Sequence, residues 1–459
     1  MNNDLSVVNK MNYRSHVISF FDYLFVFVLI IYGGMASTFV RSFSFDEPLP
    51  ILLPVLLSII LIMRAKVVFN KQIYLLLLFY VIYNLALIIK YKTIHPVFFG
   101  YLLVNFMVTY VAVKTLKFKL FIIYENIIYY LAIVGLGIWG IQLLMGGDNL
   151  FYLLSNIPSI DTFSTVSGGG INIVIYSIQP YISKLITNSI LPRNCGFAWE
   201  PGAFAVFLCL AIFINLFIIK SKEKLNKHFW TFVLALLSSQ STTGYVIFIV
   251  IIVFYIFQKN IKVVLLIFPF LLLIIILLFS LPFMTEKISK IFEEATRVDV
   301  IVEESIGREN ARNPQRFASF IITFRDFKNN PLLGYGGHVE DRWYSQIYSN
   351  IAPISGIGNL LAQYGLVGFL FFITLSINSS RFYSQSLNYK GKYLFFIIMF
   401  FITISYSLFF RTIIMSFWMF SFFESTKSEE NEAEYNLTPE IERNVYKLKP
   451  GTSNDGKNN

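Results

Sequence analysis

The segment Arg193-Asn194-Cys195-Gly196-Phe197-Ala198-Trp199-Glu200-Pro201-Gly202 sets an arginine, a carboxylate and a helix start close together. Pro201 suits the first turn of a helix, where its missing N–H costs nothing. Glu200 beside that N-terminus would meet the positive end of the helix dipole. A plain helix start, with an interfacial Trp199 and a capping Glu200, accounts for everything except Arg193. An arginine at the lip of a membrane cavity points to function, and its planar fork suits phosphate or carboxylate. Arg193 is therefore read as the contact to an anionic group. Glu200 is read as a base, a cap, or a holder of Arg193.

Arg316 is followed at short range by Pro331-Leu332-Leu333-Gly334-Tyr335-Gly336-Gly337-His338. Glycines let backbone N–H groups come close to an anion, so Gly334 and Gly336 are expected to bind substrate beside Arg316. Such a turn is also often no more than a turn. His338 is one of four histidines, and its pKa suits a group that orients or deprotonates a hydroxyl near neutral pH; a solvated loop histidine is the plainer reading. A third polar island, Ser241-Thr242-Thr243-Gly244, brings Thr243 to the tip of an apolar run. Its hydroxyls either line a polar cavity or satisfy backbone groups in a tight intramembrane hairpin. Arg411 interrupts the apolar stretch Tyr393–Phe423.

Other chemistries find no support. There is no nucleotide-binding loop, no carboxylate cluster at metal-ligand spacing and no nucleophile elbow. Cys195 and Cys209 offer neither a metal spacing nor a disulfide framework. The expectation is a reaction without metal, cofactor or energy-rich nucleotide, whose donor carries its own leaving group.

The elements that must position these residues are helices in a bilayer. Ile18–Val40, Leu49–Met63, Ile73–Ile89, Val97–Val113 and Ile127–Met145 are continuous in Leu, Ile, Phe and Val, and about twenty such residues span the hydrocarbon. The 459 residues are 56% hydrophobic and only 14% charged, against roughly a quarter charged in soluble proteins. The formal charge of +10 follows from lysines in the short breaks between spans, so it is read as topology, with no nucleic-acid partner. Breaks such as Arg64 to Lys71, Lys114 to Lys119, Lys220 to Lys227 and Arg381 to Lys392 can all face the cytoplasm. The N-terminus then lies inside, and Ile18–Val40 is a first span rather than a cleavable signal. His228–Phe257 and Tyr393–Phe423 each read as a hairpin with a polar tip.

The fold class is thus all-α, a polytopic membrane protein of about twelve transmembrane helices. Residues 1–423 form the membrane domain, with two large outer loops at 146–200 and 284–355. Residues 424–459 form a polar, disordered cytoplasmic tail. The second loop is rich in arginine (Arg297, Arg308, Arg312, Arg316, Arg325, Arg342). It is either a salt-bridged cap or a recognition surface.

These residues resemble the O-antigen ligase and polymerase superfamily of bacterial envelope glycosyltransferases. Arg193 through Gly202 is similar to the family's Arg-x-x-Gly-x-x-x-Glu-Pro-Gly segment. Ser241-Thr242-Thr243-Gly244 is similar to its Ser-x-Thr-Gly hairpin, and Arg316 with Pro331 to His338 to its outer-loop element. One position departs: many relatives carry an arginine where Thr243 stands, so Arg316, Arg411 or another loop arginine must supply that contact. The resemblance implies a multi-pass enzyme of the bacterial inner membrane. It would join undecaprenyl-pyrophosphate-linked oligosaccharides among membrane lipids, for lipopolysaccharide, capsule or exopolysaccharide. A chain-length regulator and a flippase are the implied partners. The Trp199-Glu200-Pro201-Gly202 form leans towards a polymerase. A ligase acting on lipid A core is the alternative, and a transporter of lipid-linked or anionic solutes is the rival from another class. Within this reading Arg193, Glu200 and His338 are catalytic, with Glu200 and His338 expected on opposite walls of one outward cavity near Arg316.

Overall fold

The computed structural model describes residues 18–34, 49–156, 161–165, 168–178, 191–219, 226–259, 289, 292–309 and 311–424. The sequence readings for the N-terminal lysine and arginine, for Lys220 to Lys224 and for the tail after 424 lie outside the described residues. Helices α1 (Phe20–Gly34), α2 (Leu49–Ala65), α3 (Lys71–Tyr91), α4 (Pro96–Leu116) and α5 (Lys119–Met145) come first. Then follow α6 (Gly147–Ser155) and three short strands, β1 (Asp161–Thr165), β2 (Gly168–Asn172) and β3 (Ser177–Ile178). Next are α7 (Pro201–Phe213), α8 (Lys227–Ser239) and α9 (Thr242–Lys259). The second loop contributes α10 (Val298–Glu303), α11 (Arg316–Asn329) and α12 (Trp343–Gln346), and the chain closes with α13 (Gly356–Ser386), α14 (Leu394–Ser405), α15 (Thr412–Trp418) and α16 (Phe420–Phe423).

Among the described residues five helices are long and apolar enough to cross a membrane: α3, α4, α5, Pro201–Ile219 and α13. Four shorter apolar helices stand with them, Phe20–Gly34, Leu52–Ala65, Thr242–Gln258 and Leu394–Ser405. The expected count of about twelve spans also draws on segments outside the described residues. The helical class is observed, with one addition. The loop 146–200 holds an antiparallel sheet in the order β1-β2-β3, where the sequence reading had no strands.

Burial sorts the helices by environment. Pro201–Ile219 is apolar on every face and almost wholly buried, as a helix without a polar stripe must be. α3 instead leaves Leu75, Leu78, Ile82, Leu85 and Ile89 exposed, a surface suited to lipid, where helices satisfy their own backbone. Side-chain caps fix the starts of α3 (Asn70 to the Ile73 N–H) and α8 (Asn226 to the Phe229 N–H), closing donors the first turn leaves open.

Both expected hairpins form. α8 turns into α9 at Gln240, whose φ of 48° ends the first helix. α14 ends at Ser405 and the chain returns through α15 and α16, so that Glu424 pairs with Lys117 at 3.8 Å. That pairing puts residue 424 at the same end as the lysine break after α4. At this end Glu125 is buried and accepts from Asn215 at 2.8 Å, while His228 Nδ1 stands 2.7 Å away. α5, the π turn Ile214–Ile219 and α8 are tied together there.

The second loop has its own small core of Val298, Val302, Ala318, Ile322, Tyr344 and Ile351. Around its rim Arg312 pairs with Glu304, Arg325 with Asp299 and Arg297 with Glu304. For these arginines the salt-bridged cap is the right description. Exposed pairs of this kind contribute little stability, so their role is shape. Arg316, at the start of α11, points elsewhere.

Candidate functional site

Five helix ends meet at one place: the N-termini of α7, α9 and α11 and the C-termini of α8 and α14. The opposite ends of α8, α9 and α14 carry Lys227, Lys259 and Lys392. Glu200 is the N-cap residue of α7, yet its side chain makes no capping bond. It accepts instead from Arg316 Nη2 at 3.0 Å. The capping role considered for Glu200 is therefore not the one its carboxylate performs. Arg316 also donates to the Ser405 carbonyl and stands over the Tyr406 ring, its Cζ 4.0 Å from the centroid. Stacking, ion pair and backbone acceptor together hold the guanidinium in one orientation, which a lysine would not reproduce. Both charged side chains keep nearly a third of their surface exposed, 29% for Arg316 and 31% for Glu200. The pair is reachable.

Tyr406 is the hub that the sequence showed only as a break in an apolar stretch. Arg316, Glu200 and Arg193 all act electrostatically on its phenol, and Trp199 meets its ring edge-on at 6.2 Å. A Cβ on Gly202 would collide with the Tyr406 hydroxyl. Only glycine leaves room there, so the second residue of α7 is bound up with this tyrosine. The one advance signal for Tyr406 was its setting between Ser405 and Ser407 within apolar sequence.

Arg193 approaches from the other side. Its Nε donates to the Ser239 carbonyl at 3.2 Å and its Nη2 to the Gln240 carbonyl at 3.0 Å. Arg193 thus closes the C-terminal end of α8, where carbonyls lack helical partners. Asn194 reinforces the same joint through Ser238. Thr243 Oγ1 meets Ser405 Oγ at 2.8 Å across the hairpin tip. Arg193, Glu200, Thr243 and Arg316 are therefore brought into one neighbourhood, with Ser405 and Tyr406 between them.

His338 lies in a different setting. Its ring stacks on Tyr91 at 4.4 Å and meets His95 edge-on at 5.8 Å. Its Nδ1 is 3.5 Å from Thr93 Oγ1 and 3.4 Å from Glu340 Oε1. The residue is only 5% exposed. No described contact joins it to Glu200 or Arg316. Among the described residues, His338, Glu340 and Asp341 alone bring at least three metal-ligand atoms within 4.8 Å of one another, a grouping the sequence reading did not pick out.

The glycine-rich turn before His338 uses its N–H groups internally. Gly334 N–H donates to Asn330, Tyr335 N–H to Ala362 and Gly336 N–H to Gln363. In return Leu366 and Val367 donate to the Pro331 and Leu332 carbonyls. The turn is spliced into a break in α13 at Gly365, whose φ of 62° and ψ of −163° suit glycine. A Cβ at Gly365 would strike the Leu332 carbonyl. The Tyr335 and Gly336 donors thus face the broken helix, and the Gly334 donor faces Asn330 at the end of α11.

Arg411 is set apart as well. Its Nη1 donates to the Tyr101 hydroxyl at 2.9 Å. It helps line a pocket with Tyr32, Pro54, Tyr101 and Asn105, and none of the lining residues is Arg193, Glu200 or Arg316.

Residues 228–373 match the family model described as O-antigen ligase. Over this segment the chain is similar to the O-antigen polymerase and ligase superfamily. No curated protein and no solved structure matches it. The matched segment takes in Thr243, Arg316, the glycine-rich turn, His338 and the break at Gly365, while Arg193, Glu200 and Arg411 lie outside it. Members of this family are membrane enzymes that process glycans, in keeping with the apolar helices found here.

Proposed function

We propose that the protein is a polymerase of bacterial surface polysaccharide, joining polyprenyl-pyrophosphate-linked oligosaccharide units on the outer face of the inner membrane. The observation that carries this reading is the Glu200–Arg316 ion pair at the start of α7, oriented by Tyr406 and partly open. A guanidinium held in this way suits the charge that grows on a pyrophosphate leaving group. Preorganised donors of that kind are worth on the order of 10²–10³ in rate each. The outward orientation draws on Lys227, Lys259 and Lys392 at the far ends of the converging helices, as positive-inside topology requires.

In the proposed reaction an acceptor sugar hydroxyl attacks the anomeric carbon of the donor glycan. The carbon–oxygen bond to pyrophosphate breaks, and its electron pair leaves with the lipid pyrophosphate. The hydroxyl proton passes to a base. Arg316, kept in place over Tyr406, would exchange the Glu200 carboxylate for the pyrophosphate, leaving Glu200 to take that proton. His338 is the competing base, or the group that orients the hydroxyl. Arg193 and Thr243 shape the pyrophosphate wall of the same site.

Deleting the gene and resolving the surface polysaccharide on a gel tests the reading. A polymerase deletion loses the long ladder but keeps core plus one repeat. Loss of every core-linked repeat would make the protein a ligase, and an unchanged pattern would remove both.

A further inference from the structure

We infer that α11 lies on the bilayer as an interfacial helix, its phenylalanine face seated in the outer leaflet. Phe317, Phe320, Phe324 and Phe327 recur at spacings of three or four residues, so they share one side of the helix. Phe320 and Phe324 stack at 5.4 Å, and Phe324 meets Phe327 at 5.7 Å. Phe317 is 46% exposed, and the other three are half-buried. The opposite side of α11 is already occupied. Ala318 and Ile322 belong to the small core of the outer cap. Thr323 faces α13, where a Cβ on Gly358 would strike its hydroxyl. The rings therefore form a ridge turned away from the cap. An exposed apolar ridge marks contact with protein or with membrane.

The two ends of α11 select the membrane. Its first residue, Arg316, pairs with Glu200 at the start of α7. Its C-cap residue, Asn330, accepts from Lys90 at the end of α3. Both helix ends lie opposite the lysine-rich breaks, on the outer side by the positive-inside rule. The helix has 14 residues and is about 21 Å long. It thus runs across the outer mouth of the bundle, not out into solvent. The break at Gly365 fits this course: the first turns of α13 run beside α11, and the chain then bends into its long apolar span.

At its far end the ridge joins a surface suited to lipid. Ile89 on α3, Ile94 in the turn to α4 and Leu332 just past α11 are all exposed. Lys328 borders the ridge, its Nζ 5.2 Å from the Phe324 centroid. Phenylalanines on one face with a lysine at the edge are the pattern of a helix that lies in the interface, sunk about 5–10 Å into the boundary of headgroups and acyl chains. Here the cap takes the place of solvent on the other face. The inference needs only the bilayer and goes beyond the polymerase reading.

Spin labels on the full-length protein, in liposomes of phosphatidylethanolamine and phosphatidylglycerol, test the seat. Native Cys195 and Cys209 are buried, so the labels are attached through Phe317→Cys, Phe324→Cys and, on α10 of the cap, Glu303→Cys. Dissolved oxygen collects among acyl chains, and a nickel chelate stays in water. Oxygen is expected to collide more often than the chelate with the labels at 317 and 324, and the order to reverse at 303. The unsubstituted protein gives a second reading that no folding defect can spoil. A phospholipid with a diazirine in its acyl chain should crosslink to residues 317–327 and not to 298–303. Chelate contact above oxygen contact at 317 and 324, or no crosslink, would overturn the inference. Labels shielded from both reagents would place a protein on the ridge, and loss of the crosslink on adding undecaprenyl phosphate would place the substrate's own chain there; either result overturns it as well. An unchanged polysaccharide pattern on the gel, with the labels still in oxygen, would remove the proposed function and leave the interfacial helix standing.

Discussion

The surroundings of Glu200 and those of His338 solve opposite problems. At Glu200 the ends of several helices bring charges together and leave them partly open to a ligand. At His338 rings enclose a ring, and the histidine is almost wholly covered. An open arginine–carboxylate pair can exchange partners when an anion arrives. A covered imidazole can hold a geometry but receives a proton from a substrate only through a small opening. The first place is charged and partly open, the second aromatic and closed. Of the two candidate side chains, Glu200 is partly open and His338 is covered.

Removing Arg316 should break the comparison most severely. Arg316→Ala is expected to lower polymer formation by about a thousandfold or more, in keeping with loss of a preorganised charge, while protein level stays unchanged. Arg316→Lys should recover little, because an ammonium does not stack on Tyr406 and fork to Glu200 together. Near-normal polymer from the alanine variant, measured with purified protein, would move the leaving-group contact elsewhere.

His338 should come next. His338→Ala is expected to cost on the order of a hundredfold if the histidine is a general base. In the positioning role favoured here, His338→Gln keeps much of the rate, and the pH profile of that variant follows the wild type. A glutamine variant as inactive as alanine, with the acidic limb of its profile lost, would make His338 the base and Glu200 a binding group.

Thr243 tests the hairpin wall. Thr243→Val loses one neutral hydrogen bond to Ser405, so a decrease of about fivefold is expected. Unaltered kinetics would reduce the threonine to a residue that merely permits the turn.

The smallest effect on turnover, and a clear one on stability, belongs to Asp326 in the outer cap. Its carboxyl is buried, and burial pushes its pKa up to about 6, against the opposing pull of Arg342 and the Trp343 N–H. An acid whose folded pKa is raised binds more protons folded than unfolded, so the cap loses stability as pH rises from about 4 to 6. Asp326→Asn should abolish that slope and strengthen the cap at pH 7 by on the order of 2 kcal/mol. Hydrogen exchange across residues 316–351 at pH 5 and pH 7 reads it; a slope equal to the wild type would show another group at work.

How much of this was legible beforehand follows from the distance over which each feature is encoded. Arg193, Glu200 and Pro201 lie within one short segment, and a helix start with unexplained charge is a local pattern. The two hairpins were also local, since a serine-rich break in an apolar run has few other uses. The Glu200–Arg316 pair joins residues 116 positions apart, and nothing local predicts it. Gly334 and Gly336 announced close backbone approach correctly, but a glycine does not name the group approached; here it is α13 and not an anion. His338 was expected across a cavity from Glu200 because of its place on the outer loop; its packing against Tyr91 and His95 joins residues far apart in the chain, which nothing local encodes. The sheet Asp161–Ile178 escaped because its serines and glycines carry no alternation of apolar residues.

The central claim is that Arg316, held by Glu200 and Tyr406, stabilises the departure of a lipid pyrophosphate. The direct measurement is release of undecaprenyl pyrophosphate by the purified protein in liposomes, supplied with undecaprenyl-pyrophosphate-linked oligosaccharide and no nucleotide. The wild type should release one lipid pyrophosphate for every glycosidic bond formed, and Arg316→Ala should do neither at a detectable rate. Release and bond formation by Arg316→Ala at the wild-type rate would contradict the account.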